Sequence, residues 1–174
     1  MSFLRFLRPN AAPRNEAAET ATIRRIAGEL DAMEPERAAY LAAFAYVLSR
    51  VAYADLQISH DETRAMERIV AEWGHLPEPQ AVLAVEIAKS QSRLEGGTED
   101  YLVTRRFREL ATDEQRTDLL HCLFAVASAA EDTISAEENA EIRQVAHELG
   151  FTLSELNAVR SRYAGRLSAL QKEP

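Results

Sequence analysis

Four carboxylates occupy positions where carboxylates could do chemistry: Asp55 and Glu62 in one stretch, Glu131 and Glu138 in another. The first stretch reads Asp55-Leu-Gln-Ile-Ser59-His-Asp61-Glu62 and the second Glu131-Asp132-Thr-Ile-Ser135-Ala-Glu137-Glu138. Oxygen ligands of this kind suit a hard divalent cation, calcium or magnesium. Two bare carboxylates ~6 Å apart repel by about 3 kcal/mol at an effective dielectric of ~20, so a cluster of them would welcome a cation. Ser59-x-x-Glu62 and Ser135-x-x-Glu138 also have the form of a capping box, which gives each glutamate a purely structural role. Asp55 and Glu131 have no such role. Each closes a helix, where the negative end of the dipole disfavours an acid, and so calls for a partner: a cation, an arginine or a turn amide.

Other chemistries fit less well. An EF-hand loop counted from Asp55 would place His60 where glycine is needed and Met66 where the bidentate glutamate belongs; from Glu131 the same places hold Ala136 and Ile142. Zinc finds no ligand-spaced cluster among His60, His75, His121, His147 and Cys122, the single cysteine. His121 and Cys122 are adjacent, and adjacent residues do not face each other on a helix, so a nucleophile pair is not expected and a buried thiol is. A carboxylate-based enzyme lacks a companion histidine or lysine pattern, and neither a phosphate-binding glycine loop nor an activated-serine motif is present. The chain therefore reads as non-enzymatic.

The elements that must position these acids are helices. Abundant Ala, Leu, Glu and Arg with only six glycines and six prolines favours an all-α fold. Apolar periodicity and caps predict about eight helices: 16–33, 35–55, 59–73, 79–94, 98–110, 112–131, 135–149 and 152–170. Gly74 and Gly150 stop the third and seventh, and Thr152 with Glu155 opens the eighth. A shift of 76 residues superimposes much of this pattern. Phe44, Val47, Leu48 and Val51 fall on Leu120, Leu123, Phe124 and Ala127; Ile58, Ser59, Glu62, Glu72 and Gly74 meet identical residues. We read a duplicated three-helix unit, about 44–94 and 120–170, because a lone helical hairpin cannot cover its own apolar stripe. Packed face to face, the copies would be related by an approximate twofold axis. Phe44, Leu48, Ile58, Ile69, Trp73, Leu120, Phe124, Ile134, Val145 and Leu149 are expected in the core.

Residues 1–14 read as a flexible arm of Phe3, Leu4, Phe6 and Leu7 among arginines, contributing little to stability, with contact to a membrane surface as the lesser alternative. Residues 15–174 form a single domain. No apolar run approaches the ~18 residues of a membrane span, and the arginine-interrupted start does not read as a secretory signal, so a cytoplasmic location is expected. A net charge of −8 argues against general nucleic-acid binding, although Arg105, Arg106 and Arg108 could form a local basic patch.

At the acidic turns, Ala52-Tyr-Ala-Asp55-Leu-Gln-Ile-Ser-His-Asp-Glu62 and Ala127-Ser-Ala-Ala-Glu131-Asp-Thr-Ile-Ser-Ala-Glu-Glu138, the sequence resembles the tellurite-resistance TerB-like family. That family includes the N-terminal domain of some membrane-anchored DnaJ-type co-chaperones. The resemblance covers roughly residues 36–170; members carry glycine where this chain has Leu56 and Asp132. It implies an all-helical duplicated fold, acidic positions that bind divalent metal, and a non-enzymatic role in a stress or tellurite-resistance system. The expected metal ligands are Asp55, Glu62, Glu131 and Glu138, with Ca2+ or Mg2+ as the cation and an unidentified protein as partner. The alternative is a metal-free helical adaptor in which the acids are only caps.

Overall fold

In the computed structural model, residues 21–52, 60–91, 98–131 and 133–168 are described. They form eight α-helices: α1 Ala21–Asp31, α2 Pro35–Ala52, α3 His60–Trp73, α4 Glu78–Gln91, α5 Thr98–Leu110, α6 Asp113–Glu131, α7 Ala136–Leu149 and α8 Leu153–Arg160. No strand occurs among the described residues, and the fold is all-α as expected. The arm, Asp55 and Ile58 lie outside the described residues.

Two helices form the centre. Every residue from Ala38 to Leu48 of α2 is buried, as is every residue from Leu119 to Ser128 of α6. A helix that is apolar all round is covered on every side. Alanines at 38, 39, 42, 43 and 45 let neighbours approach α2 closely. α4 and α5 lie along α2, α3 lies on α4 and α6, and α7 packs against α5, α6 and α2. α1 docks on α4 and α2.

The expected 76-residue shift is visible in the helix bounds, since His60–Trp73 and Ala136–Leu149 occupy equivalent positions. Equivalent apolar residues are not equally covered. Phe44, Leu48, Leu120, Phe124, Ile134, Val145 and Leu149 are buried as expected, but Ile69 and Trp73 only edge the core. Met66 and Val70 are the buried pair on α3, because among the described residues this helix packs mainly on two helices, α4 and α6, whereas α7 packs against three, α5, α6 and α2.

The two stop glycines do different work. Gly150 adopts φ 88° as the left-handed cap of α7, and its N–H and that of Phe151 reach His147 and Ala146 carbonyls in a Schellman motif. At Gly74 the constraint is space: a Cβ there would lie 2.5 Å from the Val70 carbonyl oxygen and 3.1 Å from the Phe44 ring. The left-handed residue in that turn is His75, φ 48°.

The final helix is shorter than its sequence implies. α8 ends at Arg160 and tightens into a 3-10 turn, Ser161–Arg166, and Leu167 then forms an isolated parallel bridge with Ile134. The Ser161 hydroxyl donates back to the Ala158 carbonyl, and the fold-back buries Leu167. A continuous helix to Leu170 would forgo that burial and the bridge.

Candidate functional site

The second acidic turn is held by three devices, one local and two reaching across the fold. Ser135 caps α7: its hydroxyl accepts from the Glu138 N–H at 3.1 Å, while Glu138 Oε2 accepts from the Ser135 N–H and hydroxyl, each at 2.8 Å. The expected capping box is therefore present, and it occupies one carboxylate oxygen of Glu138. Ile134 anchors the turn to the end of the chain, donating to the Arg166 carbonyl at 2.6 Å and accepting from Ser168 at 3.0 Å. Arg166 in turn donates to the Ser128 carbonyl in the last turn of α6, at 3.2 Å. A cation at that end complements the helix dipole. Nothing in the local sequence announces Arg166, which lies 38 residues away.

Of the four expected ligands, Glu138 is thus placed on its cap, and Glu131 is the last residue of α6. Glu62 is half-buried in the first turn of α3. Asp55 lies outside the described residues, as does the rest of the first turn up to Ser59. Among the described residues, no group of three or more His, Cys, Asp or Glu side chains is gathered closely enough to hold a metal ion.

A second polar centre, which no local motif marks, lies at Arg50. Arg50, near the end of α2, has a side chain only 7% exposed. Its guanidinium donates to Glu148 at 2.6 Å, Glu141 at 2.7 Å and the Thr104 hydroxyl at 2.6 Å, joining α2, α5 and α7. Thr104 passes a hydrogen bond to the Asp100 carbonyl, and the Tyr46 hydroxyl donates to the Asp100 carboxylate. Burial alone would raise the Glu148 carboxyl; hydrogen bonds from Arg50 and Gln144 outweigh it and hold it below the usual carboxylate range. The available signal was Arg50 itself, a charge inside an apolar helix at the position where the other copy has Val126.

A third cluster surrounds His121 and Cys122. The His121 ring stacks on Trp73 with centroids 5.3 Å apart and meets the Tyr163 hydroxyl at 3.3 Å. Tyr163 also stacks on Phe124, centroids 5.1 Å apart. Burial pushes the Cys122 thiol well up, so the reactive thiolate is suppressed. Burial and then the field of Arg162 lower the His121 imidazole, with Asp118 opposing. A base depressed by folding binds its proton more readily when unfolded. Its contribution to stability is therefore complete above about pH 6.5 and declines below it. The melting midpoint should fall as pH drops from neutrality through that value, and His121→Phe, which keeps a ring against Trp73, should remove that component.

Two surface hollows share lining positions related by the 76-residue shift. One, of about 700 Å³, runs between α3 and α4 beside Arg64, Glu67, Arg68 and Ala71. The other, of about 370 Å³, runs between α7 and the start of α8 beside Ala140, Arg143, Gln144 and His147. Those four pairs are related by the 76-residue shift. The first is lined by charges of both signs, including Asp61 and Glu78, and the second by basic and apolar residues including Phe151, Leu153 and Leu156.

No described helix is long and apolar enough to cross a membrane. No curated protein and no solved structure matches the chain. The family model described as tellurite resistance protein TerB matches residues 40–161, from the first half of α2 to the end of α8, and so takes in the second acidic turn, the Arg50 cluster and both hollows. The all-helical fold and this match over most of the sequence place the chain in the TerB family.

Proposed function

We propose that the protein is a non-enzymatic binding module of a cytoplasmic stress or tellurite-resistance-type system, and that its acidic turns take up a divalent cation, Ca2+ or Mg2+. The observation that carries this reading is the Glu138 cap. It fixes the carboxylate through Oε2 alone, so Oε1 is held in place without a hydrogen-bond partner among the described residues. Glu131 at the end of α6 and Asp55 with Glu62 in the first turn are the remaining proposed oxygen donors. A cation there would join the end of one helix to the start of the next, and through Ile134 to the fold-back at Leu167.

Binding to the folded state at a hundred times the dissociation constant adds about 2.7 kcal/mol. For a domain of this size the melting midpoint should then rise by roughly 5–10 °C in calcium or magnesium. An unchanged midpoint at millimolar concentrations of both would remove the cation role.

One observation favours the metal-free adaptor instead: Arg166 already supplies positive charge to the α6 terminus. In that reading the acids are caps and ion-pair partners, and function resides in the two hollows. Arg166→Gln separates the two. If Arg166 substitutes for a cation, the variant should be destabilised and added calcium should not restore it; if the acids are ligands, calcium should stabilise the variant at least as much as the wild type.

A further inference from the structure

We propose that the hollow between α7 and α8 is a docking site for an acidic amphipathic helix of a partner protein. The inference rests on the binding-module reading but is independent of cation uptake.

Shape and exposure come first. Leu156 and Phe151 form an apolar floor, and Leu153 stands at the rim 66% exposed, more than any other large apolar side chain among the described residues. Leu153 directly follows the Thr152 cap, and nothing about a first helical position calls for an exposed leucine. An apolar slot between two helices is the shape that helix-in-groove recognition uses, with anchors spaced at i, i+3 or i+4 and i+7.

Charge selects the occupant. Arg143 and His147 line the slot with no acid among the lining residues, and the Arg108 guanidinium packs against the backbone at Gly150 beside it. Neither Arg143 nor Arg108 has an ion-pair partner among the described residues. The carboxylates nearest in sequence are otherwise engaged: Glu141 and Glu148 by Arg50, and Glu155 by the N–H and hydroxyl of Thr152. In a chain of net charge −8 this is a local inversion of sign, and the α3–α4 hollow, with Asp61, Glu67 and Glu78, does not share it. At physiological ionic strength fields decay over about 8 Å, so the local arginines and not the net charge govern an incoming helix. Carboxylates flanking an apolar rib would meet Arg143 and Arg108 while the rib covers Leu153 and Leu156. A basic occupant, such as the arginine-bearing arm of residues 1–14, would meet like charge.

The test is fluorescence anisotropy of the intact chain with a labelled peptide of about five helical turns, leucines on one face and glutamates on the flanks. It is run in chelator and again in calcium. Two controls carry lysine for glutamate or the same residues in scrambled order. We expect saturable binding of the acidic amphipath, about tenfold or more tighter than either control. Leu153→Asp and Arg143→Glu, both at exposed positions and checked for unchanged helicity, should each weaken it by about tenfold. Absence of saturable binding, equal affinity for the scrambled peptide, or undiminished binding by both variants overturns the proposal. So does sedimentation showing a wild-type dimer that Leu153→Asp converts to monomers, which would give the slot to a second copy. Peptide binding that fails while calcium still shifts melting removes the docking site alone; the reverse pair of results removes the cation role alone.

Discussion

Replacing Arg50 with methionine should destabilise the protein by about 3–5 kcal/mol, because it strands the Glu148 carboxylate, 5% exposed, without its cation. Gln144 would remain as a donor at 2.9 Å, too little to offset a buried charge. Removing both partners together, Arg50→Met with Glu148→Leu, should recover most of that loss, since neither charge then needs burial. Chemical denaturation of the two single variants and the double variant gives the coupling directly. Three near-additive small losses would mean that the cluster is solvated and structurally incidental. The pair also sets a pH dependence. Folding depresses the Glu148 carboxyl, so its contribution is present above the unfolded value of about 4.3 and lost as pH falls through the folded one. The double variant should lack that part of the acid limb.

Phe124→Ala should cost about 3–5 kcal/mol and lower the melting midpoint by roughly 6–20 °C. Phe124 is fully buried in the middle of α6, a helix covered by α2, α3 and α7, and its ring lies flat on Tyr163. Truncation leaves a void in a closely packed interior that its surroundings fill only in part. Phe124→Leu should cost markedly less, because most of the volume is retained. A near-neutral alanine variant would show that the centre of α6 is not the core.

The helices and their local caps were legible because their causes are local. Ser135 and Glu138, Thr152 and Glu155, and Gly150 each act within one turn, and each does in the structure what its residue type implies. Burial was legible where a helix is enclosed, as for Phe44 and Phe124, and misjudged where coverage depends on distant elements, as for Ile69 and Trp73. Arg50 and Glu148 are 98 residues apart, and Ile134 and Leu167 lie on either side of α7 and α8; no window of periodicity contains such pairs. The early end of α8 has the same origin, because the bridge and the burial of Leu167 are tertiary rewards for breaking the helix. Gly74 shows a third case: its type marks the end of α3, but the reason for it, the close approach of Phe44, lies across the core.

Calorimetric titration of the intact chain with calcium and with magnesium, beside the Asp55→Asn/Glu131→Gln variant, tests the cation-responsive reading most directly. The account predicts a saturable heat in the wild type for at least one of the two ions. The variant should lose it with its helical circular dichroism unchanged. No heat from either ion at millimolar concentration, or the same heat in the variant, would contradict the account and leave the metal-free adaptor in its place.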